Sequence, residues 1–311
     1  FLLNRSSDLG ESIGIYRAAK TLNKKAYIVI DNPTSSIIPL MNTFRDNQDY
    51  EADMFVNNHE AKEIMDDNTL LVVVDTNKPS ITQCEDLLYM AKMIVVLDHH
   101  RQGSDTIRNS VLSYIEPYAS SASEMVAEIL QYFTEGIRIR NVEADSIYAG
   151  IMIDTDNFMQ KTGVRTFEAA AFLRRCGADV TRVRKLFRED MNDYKARGET
   201  IRNAELFRGQ FAISECPSDY VDSPTVVGAQ AANELLNIVG VKASFVLTEY
   251  KGVIYISARA IDEVNVQSSR ERMGGGGHLN MAGCQLETVN MEGARNLLKS
   301  TLTEMQDGGE I

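Results

Sequence analysis

Asp98, His99 and His100 stand together at the end of an apolar run, Val95-Val96-Leu97. A neutral imidazole ligates a divalent cation well, and a carboxylate beside it fixes the orientation of the ring. The chain holds 4 histidines in 311 residues, so an adjacent pair carries weight. The device recurs where Leu71-Val72-Val73-Val74 runs into Asp75, and Asp154-Thr155-Asp156 follows a further apolar stretch. A carboxylate offers two oxygens, so Asp75 can bridge two cations about 3.5–4 Å apart, with Asp154 adding another oxygen. Asp156 reads as structural. Carboxylate and imidazole ligands without thiolates suit Mn²⁺, with Mg²⁺ or Fe²⁺ as alternatives. Paired ions of this kind arm water against phosphorus, so the expected chemistry is hydrolysis of a phosphate ester or phosphodiester.

A second constellation lies near the far end. Gly274 to Gly277 followed by His278 lets the backbone approach a ligand closely and turn its N–H groups toward an anion. Arg259, at the end of an apolar segment, offers a planar fork for phosphate. His59 sits among polar residues and reads as a solvated surface side chain. Cys84, Cys176, Cys216 and Cys284 form no close pair and read as reduced, buried thiols.

These residues need elements to position them. Ala26 to Ile30, Leu71 to Val74 and Ile94 to Leu97 have the continuous apolar character of parallel strands buried on both faces. Helical patterns at Gly14 to Leu22, Ser36 to Arg45, Glu60 to Met65 and Ile81 to Met90 alternate with them. That order predicts an α/β fold: an N-terminal open, mostly parallel sheet with helices on both faces. Ligands bind such sheets at the carboxyl ends of the strands, where Asp75 and Asp98-His99-His100 lie. Ser121-Ala122-Ser123-Glu124 has capping-box spacing, Asn141 to Ile153 reads as a helix delivering Asp154, and Thr166 to Cys176 as a helix stopped by Gly177. The charged stretch from Thr181 to Asn203 reads as a helical connection and hinge. Beyond it, strands at Phe211 to Glu215, Ser244 to Thr248, Val253 to Ser257 and Cys284 to Glu287 combine with helices at Gly228 to Leu236 and Met291 to Met305. A short helix is expected to lead into the glycine run. The expected division is 1–180 for the metal-site domain, 181–203 for a helical linker, and 204–311 for a smaller α/β domain.

The formal net charge is −12. Proteins that track a polynucleotide backbone usually present a basic surface, so a small phosphorylated ligand fits better than a long nucleic acid. Nothing approaches the ~20 apolar residues of a membrane span. The opening Phe1-Leu2-Leu3-Asn4 reads as the cut edge of a first strand, and the sequence as a fragment of a longer chain.

Taken together, Asn4-x-x-x-Asp8, Val74-Asp75-Thr76, Asp98-His99-His100, Asp154-Thr155-Asp156 and Gly274 to His278 resemble the motifs of the DHH phosphoesterases with a DHH-associated C-terminal domain. The resemblance covers nearly the whole chain. Ser113-Tyr114-Ile115-Glu116-Pro117, Ser120-Ser121, Lys161 to Ala170 and Val264-Asn265-Val266-Gln267 look like the branch formed by the catalytic portions of bacterial cyclic-di-AMP phosphodiesterases. The resemblance implies Mn²⁺-dependent hydrolysis of cyclic di-AMP to linear pApA. It implies Asp8, Asp75, His99 and Asp154 as metal ligands, with Asp75 bridging and acting in catalysis. His100 would be the catalytic group on the phosphate or the departing oxygen. Gly275, Gly276, Gly277 and His278, with Arg259, would bind the far nucleotide. It also implies a cytoplasmic fragment whose parent is anchored in the membrane by an upstream region, and it allows a homodimer.

The family's first motif reads His-x-x-x-Asp-x-Asp. Asn4 occupies the histidine position, and Asp8-Leu9 runs directly into Gly10-Glu11-Ser12-Ile13-Gly14. On that reading the site lacks an imidazole and a second carboxylate. Two other readings therefore stand beside the first: a nuclease trimming short oligonucleotides or pApA, and a non-catalytic cyclic-dinucleotide sensor with a degenerate metal site.

Overall fold

In a computed structural model the chain separates into two compact units, Phe1–Arg188 and Glu189–Ile311. The structure describes residues 6–31, 33, 37–188, 190–261, 264, 266, 276–278, 281–287 and 289–308, with only the backbone for 6, 7, 276–278 and 281.

The first unit runs α1 (Ser6–Thr21), β1 (Ile28–Val29), α2 (Ile38–Arg45), β2 (Phe55–Val56), α3 (Asn58–Ile64), β3 (Leu70–Val74), α4 (Asp86–Met90), β4 (Met93–Asp98), β5 (Leu112–Ile115), α5 (Ala122–Phe133), α6 (Asn141–Asp154), α7 (Val164–Arg175) and α8 (Val180–Leu186). All described pairings here are parallel: β1 with β2, and β3 with β4 with β5. Val74 pairs with Leu97 and the Asp75 amide donates to the Leu97 carbonyl at 3.0 Å, so the two apolar strands end level with each other. The expected parallel α/β arrangement is therefore present, with helices packed on the strands. α6 is buried nearly all round, from Glu143 to Met152. Its small residues Ala144 and Ala149 are fully buried in the core of this unit. Its buried acids are matched: Arg17 forks onto Glu143, to which Tyr50 also donates at 2.9 Å, and Arg182 forks onto Asp145.

Two local expectations differ. The predicted helix from Ile81 to Met90 is instead a 3₁₀ turn at Pro79–Ile81 followed by the short α4. Around Gln83 the chain is held by tertiary bonds: Asn58 donates to the Gln83 carbonyl at 2.9 Å, and the Asp31 amide donates to its side chain at 3.2 Å. At Ser121 the side chain caps α5 by accepting from the Glu124 amide at 3.0 Å, but Glu124 turns its carboxylate to Ser120 instead of closing a reciprocal box.

The second unit runs α9 (Met191–Arg202), β6 (Glu205–Phe207), β7 (Phe211–Cys216), α10 (Pro224–Leu235), β8 (Ala243–Tyr250), β9 (Val253–Ala260), β10 (Gly276–His278), β11 (Met281–Leu286) and α11 (Met291–Asp307). Its sheet has the order β10-β11-β9-β8-β7-β6, antiparallel except for β7 beside β8. Alternation sorts the side chains. Phe211, Ile213, Phe245 and Leu247 meet Leu298 and Leu302 of α11 on one face, while Ala212 and Val246 meet Ala231 and Leu235 of α10 on the other. Lys251 and Gly252, both at positive φ, make the expected hairpin between β8 and β9. The boundary between the units falls between α8 and α9. The predicted helix into the glycine run lies outside the described residues, and Gly276 to His278 is a strand. Among the described residues no helix is long and apolar enough to cross a membrane.

Candidate metal centre

β3 and β4 deliver Asp75 and Asp98-His99-His100 to one edge. Asp75 has φ +59°, a left-handed backbone conformation in which Asp is tolerated better than most side chains. The turn brings Asp75 Oδ1 to 3.3 Å from His99 Nε2 and 3.8 Å from His100 Nδ1. Asp98 is fully buried and holds His100, accepting from its amide at 3.0 Å and lying 2.8 Å from its Nδ1. Asn77 donates to the other Asp98 oxygen and to the His100 carbonyl. Burial pushes the Asp98 carboxyl up, but the His100 ring and amide and the Asn77 amide outweigh it, leaving the group below its ordinary value. For His99 burial pulls down, and Asp75, Asp154 and the Ala119 carbonyl outweigh it, leaving the ring above its ordinary value.

The far side of His99 is fixed by its Nδ1, 3.3 Å from the Ala119 carbonyl. That carbonyl belongs to the loop after β5, and the loop is fastened. Ser120 donates to buried Glu124, and Arg165 of α7 forks onto Glu128 with both contacts at 2.7 Å while reaching Glu116 at 3.4 Å. Several segments singled out in the sequence for their resemblance, Ser113 to Pro117, Ser120-Ser121 and Lys161 to Ala170, contribute to this fastening.

α1 supplies what the sequence reading missed. Ser6 to Thr21 form one helix, which carries Asp8 and the residues after it. Asp8 and Glu11 are three apart and share a helix face. Both are buried, Glu11 completely. Single ligand atoms of Glu11, Asp75 and Asp154 lie within 4.8 Å of one another, as do those of Asp75, His99 and His100. The two groups share Asp75. The expectation that a second carboxylate is missing from the first motif is thus corrected: Glu11 provides one. The spacing of Asp8 and Glu11 within the helical apolar pattern Leu9, Ile13, Tyr16 was the available signal. What lets α1 seat there is Gly10, whose position leaves no room for a Cβ against the Ser146 carbonyl of α6. Burial, then Asp75, Asp8, Asp154 and Asp98, hold the Glu11 carboxyl well above the ordinary range. Glu11 Oε2 is buried and has no hydrogen-bond donor among the described residues, the situation a cation resolves. The donor set therefore fits a divalent metal.

Other predicted residues fall elsewhere. Asp8 lies in the first turn of α1, outside both groups but near enough to act on Glu11. Asp156 is exposed, at φ +48° in a left-handed turn continued by Asn157 and Phe158. His59 is exposed beside Glu63. Asn4 and Gly275 lie outside the described residues. Gly276, Gly277 and His278 form β10, and register places His278, Met281, Arg259 and Ser244 in one row across β10, β11, β9 and β8. Arg259 alternates away from the Ile254, Ile256 and Ala258 face and is half-buried.

A parallel α/β unit with carboxylates and imidazoles gathered at its strand ends, followed by a separate mixed-sheet unit, defines a two-unit α/β protein with a divalent-cation ligand set. The chain belongs to the DHH family: residues 10–151 match its N-terminal domain, and residues 211–304 match the DHHA1 domain. It is 40% identical over 307 residues to the cyclic-di-AMP phosphodiesterase GdpP of Bacillus subtilis, covering 97% of this chain and 46% of that protein. It is 37% identical over 297 residues to the cyclic-di-AMP phosphodiesterase PdeA of Listeria monocytogenes, covering 94% and 45%. The chain thus spans about half the length of these relatives. A crystal structure of an exopolyphosphatase-related protein from Bacteroides fragilis shares the fold with a TM-score of 0.81 at 21% identity, over 97% of this chain and 89% of that one.

Proposed function

We propose that this chain is a metal-dependent phosphodiesterase that hydrolyses cyclic di-AMP to linear pApA, with Mn²⁺ as the working metal. The observation that carries the reading is the convergence of Glu11, Asp75, His99 and Asp154 at the carboxyl ends of β3 and β4, and the names of the relatives support the substrate. These four residues, with Asp8, would hold two divalent cations, and Asp75 would be shared between them. Bound there, the ions supply Lewis-acid charge for a phosphoryl oxygen and lower the pKa of water.

The chain's own groups do the rest. Ala119 orients the His99 ring through Nδ1, so Nε2 faces Asp75. Asp98 and Asn77 lock His100, leaving its half-exposed ring with Nε2 available to a phosphate oxygen or to the departing 3′ oxygen. Gly275 to Gly277, His278 and Arg259 would bind the second nucleotide. The acidic balance fits a small substrate handled with cations better than a long polynucleotide.

The test is turnover of cyclic di-AMP, pApA and short oligonucleotides with Mn²⁺, beside Asp75→Asn. Asparagine tolerates the left-handed backbone, so the variant removes charge without strain. Expected are cyclic di-AMP as the preferred substrate and loss of turnover and metal in D75N. Preferred cleavage of linear oligonucleotides points to a nuclease. Nucleotide binding with neither Mn²⁺ uptake nor turnover points to a sensor. D75N with unchanged kcat sinks the bridging role.

A further inference from the structure

We propose that Tyr118 is a specificity-determining residue, the aromatic platform on which a purine base of the substrate stacks while the adjoining phosphate sits at the strand ends. The inference rests on the phosphodiesterase reading for the class of ligand and deepens it by naming what recognises the base.

Tyr118 lies in the loop after β5, at the carboxyl rim where β3 and β4 end in Asp75 and His99. The Ala119 amide donates to the Glu116 carbonyl at 3.0 Å, so Glu116 to Ala119 close a β-turn. Pro117 takes its second position, where the fixed φ of proline is favoured. The Tyr118 amide donates to Glu116 Oε1 at 3.2 Å, and Arg165 of α7 stands 3.4 Å from Oε2. The turn is thus held both from within and by α7. One residue on, the Ala119 carbonyl lies 3.3 Å from His99 Nδ1. Standard bond lengths then put the Tyr118 Cα within about 10 Å of that nitrogen. A nucleotide with its phosphate on the centre extends its base over such a distance.

An exposed tyrosine says little by itself, because large side chains scatter singly over protein surfaces. Tyr89, Tyr132 and Tyr220 are exposed as well. Tyr118 differs in its support. Its ring is 93% exposed although the turn that carries it is pinned, and that turn also orients His99. A rigid backbone presenting a tyrosine ring makes contact area available at a low entropy cost, since only two χ angles are left to fix. Every base has a π-face, so a stack gives affinity without charge. Charge-free recognition suits this rim, where Glu11, Asp75, Asp98 and Asp154 already set a negative field around a ligand whose own charge is on its phosphates.

The experiment separates base from phosphate. Calorimetry on the full chain with Mn²⁺ measures AMP and ribose 5-phosphate, which share a phosphorylated sugar and differ in the base. Tyr118→Ala should weaken AMP by roughly 5- to 150-fold, the worth of one base–aromatic stack, and leave ribose 5-phosphate within about two-fold. Tyr118→Phe should keep both parental values, because the ring and not the hydroxyl makes the contact. Tyr132→Ala, an exposed tyrosine near the far end of α5, is the control and should change neither. In turnover of cyclic di-AMP, Y118A should raise KM by a similar factor with kcat within about three-fold, the signature of lost uniform binding. Unchanged Mn²⁺ affinity in Y118A shows that the Ala119 carbonyl still holds His99. Parental AMP affinity in Y118A overturns the proposal. So does equal loss of AMP and ribose 5-phosphate, which a collapsed turn would give, and so does a parent that binds AMP no more tightly than ribose 5-phosphate. Base-dependent AMP binding that Y118A removes, in a parent that does not turn over cyclic di-AMP, sinks the phosphodiesterase reading and leaves the role of Tyr118 standing.

Discussion

Gly10→Ala tests whether the seating of α1 on α6 positions the centre. A Cβ at Gly10 would lie 2.4 Å from the Ser146 carbonyl oxygen, 3.1 Å from its carbon and 3.2 Å from Ile147 Cα. All three neighbours are helix backbone and cannot swing aside. Ordinary contact begins at 3.4 Å, so the shortfall against the oxygen is 3.4 − 2.4 = 1.0 Å. Overpacking of this kind costs about 1–3 kcal/mol, and alanine returns about 1 kcal/mol of helix propensity, so stability should fall by about 0–2 kcal/mol. The larger effect is on the ligands. If α1 withdraws by even part of that distance, Glu11 goes with it, and sites tolerate only about 0.5 Å of misplacement. Metal affinity should therefore drop by roughly ten- to hundred-fold. Urea denaturation and Mn²⁺ calorimetry measure the two effects separately. Gly198→Ala in α9 is the control: nothing lies within 4 Å, so it should gain about 0.5–1 kcal/mol and leave metal binding alone. A G10A protein that binds Mn²⁺ as tightly as the parent would show that helix contact does not set the ligand geometry.

Tyr50 should govern alkaline stability. Burial, then the charge and hydrogen bond of Glu143, hold its hydroxyl above the ordinary value of 10.0. A raised folded-state pKa gives stability that is complete below the unfolded value and lost as pH climbs through the folded one. Tyr50→Phe should cost about 1–3 kcal/mol near neutrality, by leaving buried Glu143 short of a donor, and should flatten the decline of denaturation midpoints above about pH 10. An unchanged alkaline slope would remove Tyr50 from that role, although Tyr16 is shifted the same way by burial and Glu51. Arg165→Lys replaces a planar fork with a point charge and should loosen the loop that bears the Ala119 carbonyl. Metal affinity should fall by about ten-fold with the circular dichroism unchanged. Parental affinity in R165K would mean the loop is held by Ser120 and Glu124 alone.

The candidate residues at the strand ends were readable because two physical signals coincide. β-Branched apolar runs declare buried parallel strands, and a charged residue ending such a run must lie at the rim. Asp75 and His99 follow directly, and the Val74 to Leu97 register sets them level. Glu11 was hidden because the first motif was matched residue by residue to the spacing His-x-x-x-Asp-x-Asp. On a helix, residues three apart share a face, and the count along the chain ceases to matter. β5 escaped notice because it lies at the edge of its sheet and its residues Leu112 to Tyr114 are exposed, so no burial alternation marks it. The Ile81 to Met90 helix failed for the opposite reason. Its periodicity was present, but the Gln83 backbone and side chain are claimed by Asn58 and Asp31. The side chain of Glu124 went to Ser120, a choice between neighbouring donors that spacing alone does not decide.

The conformation of Asp75 bears on what this position can become. A backbone at φ +59° favours glycine, which has no side-chain oxygen to offer, and the proposed bridging of two cations would favour any acid. Glutamate would meet the second demand, but its longer stem belongs to a residue type that seldom enters the left-handed region. Aspartate alone satisfies both, with asparagine a shape-matched but uncharged imitation. Random substitution at this codon should thus yield one functional residue, and a library selected for fold alone should return Asn and Gly.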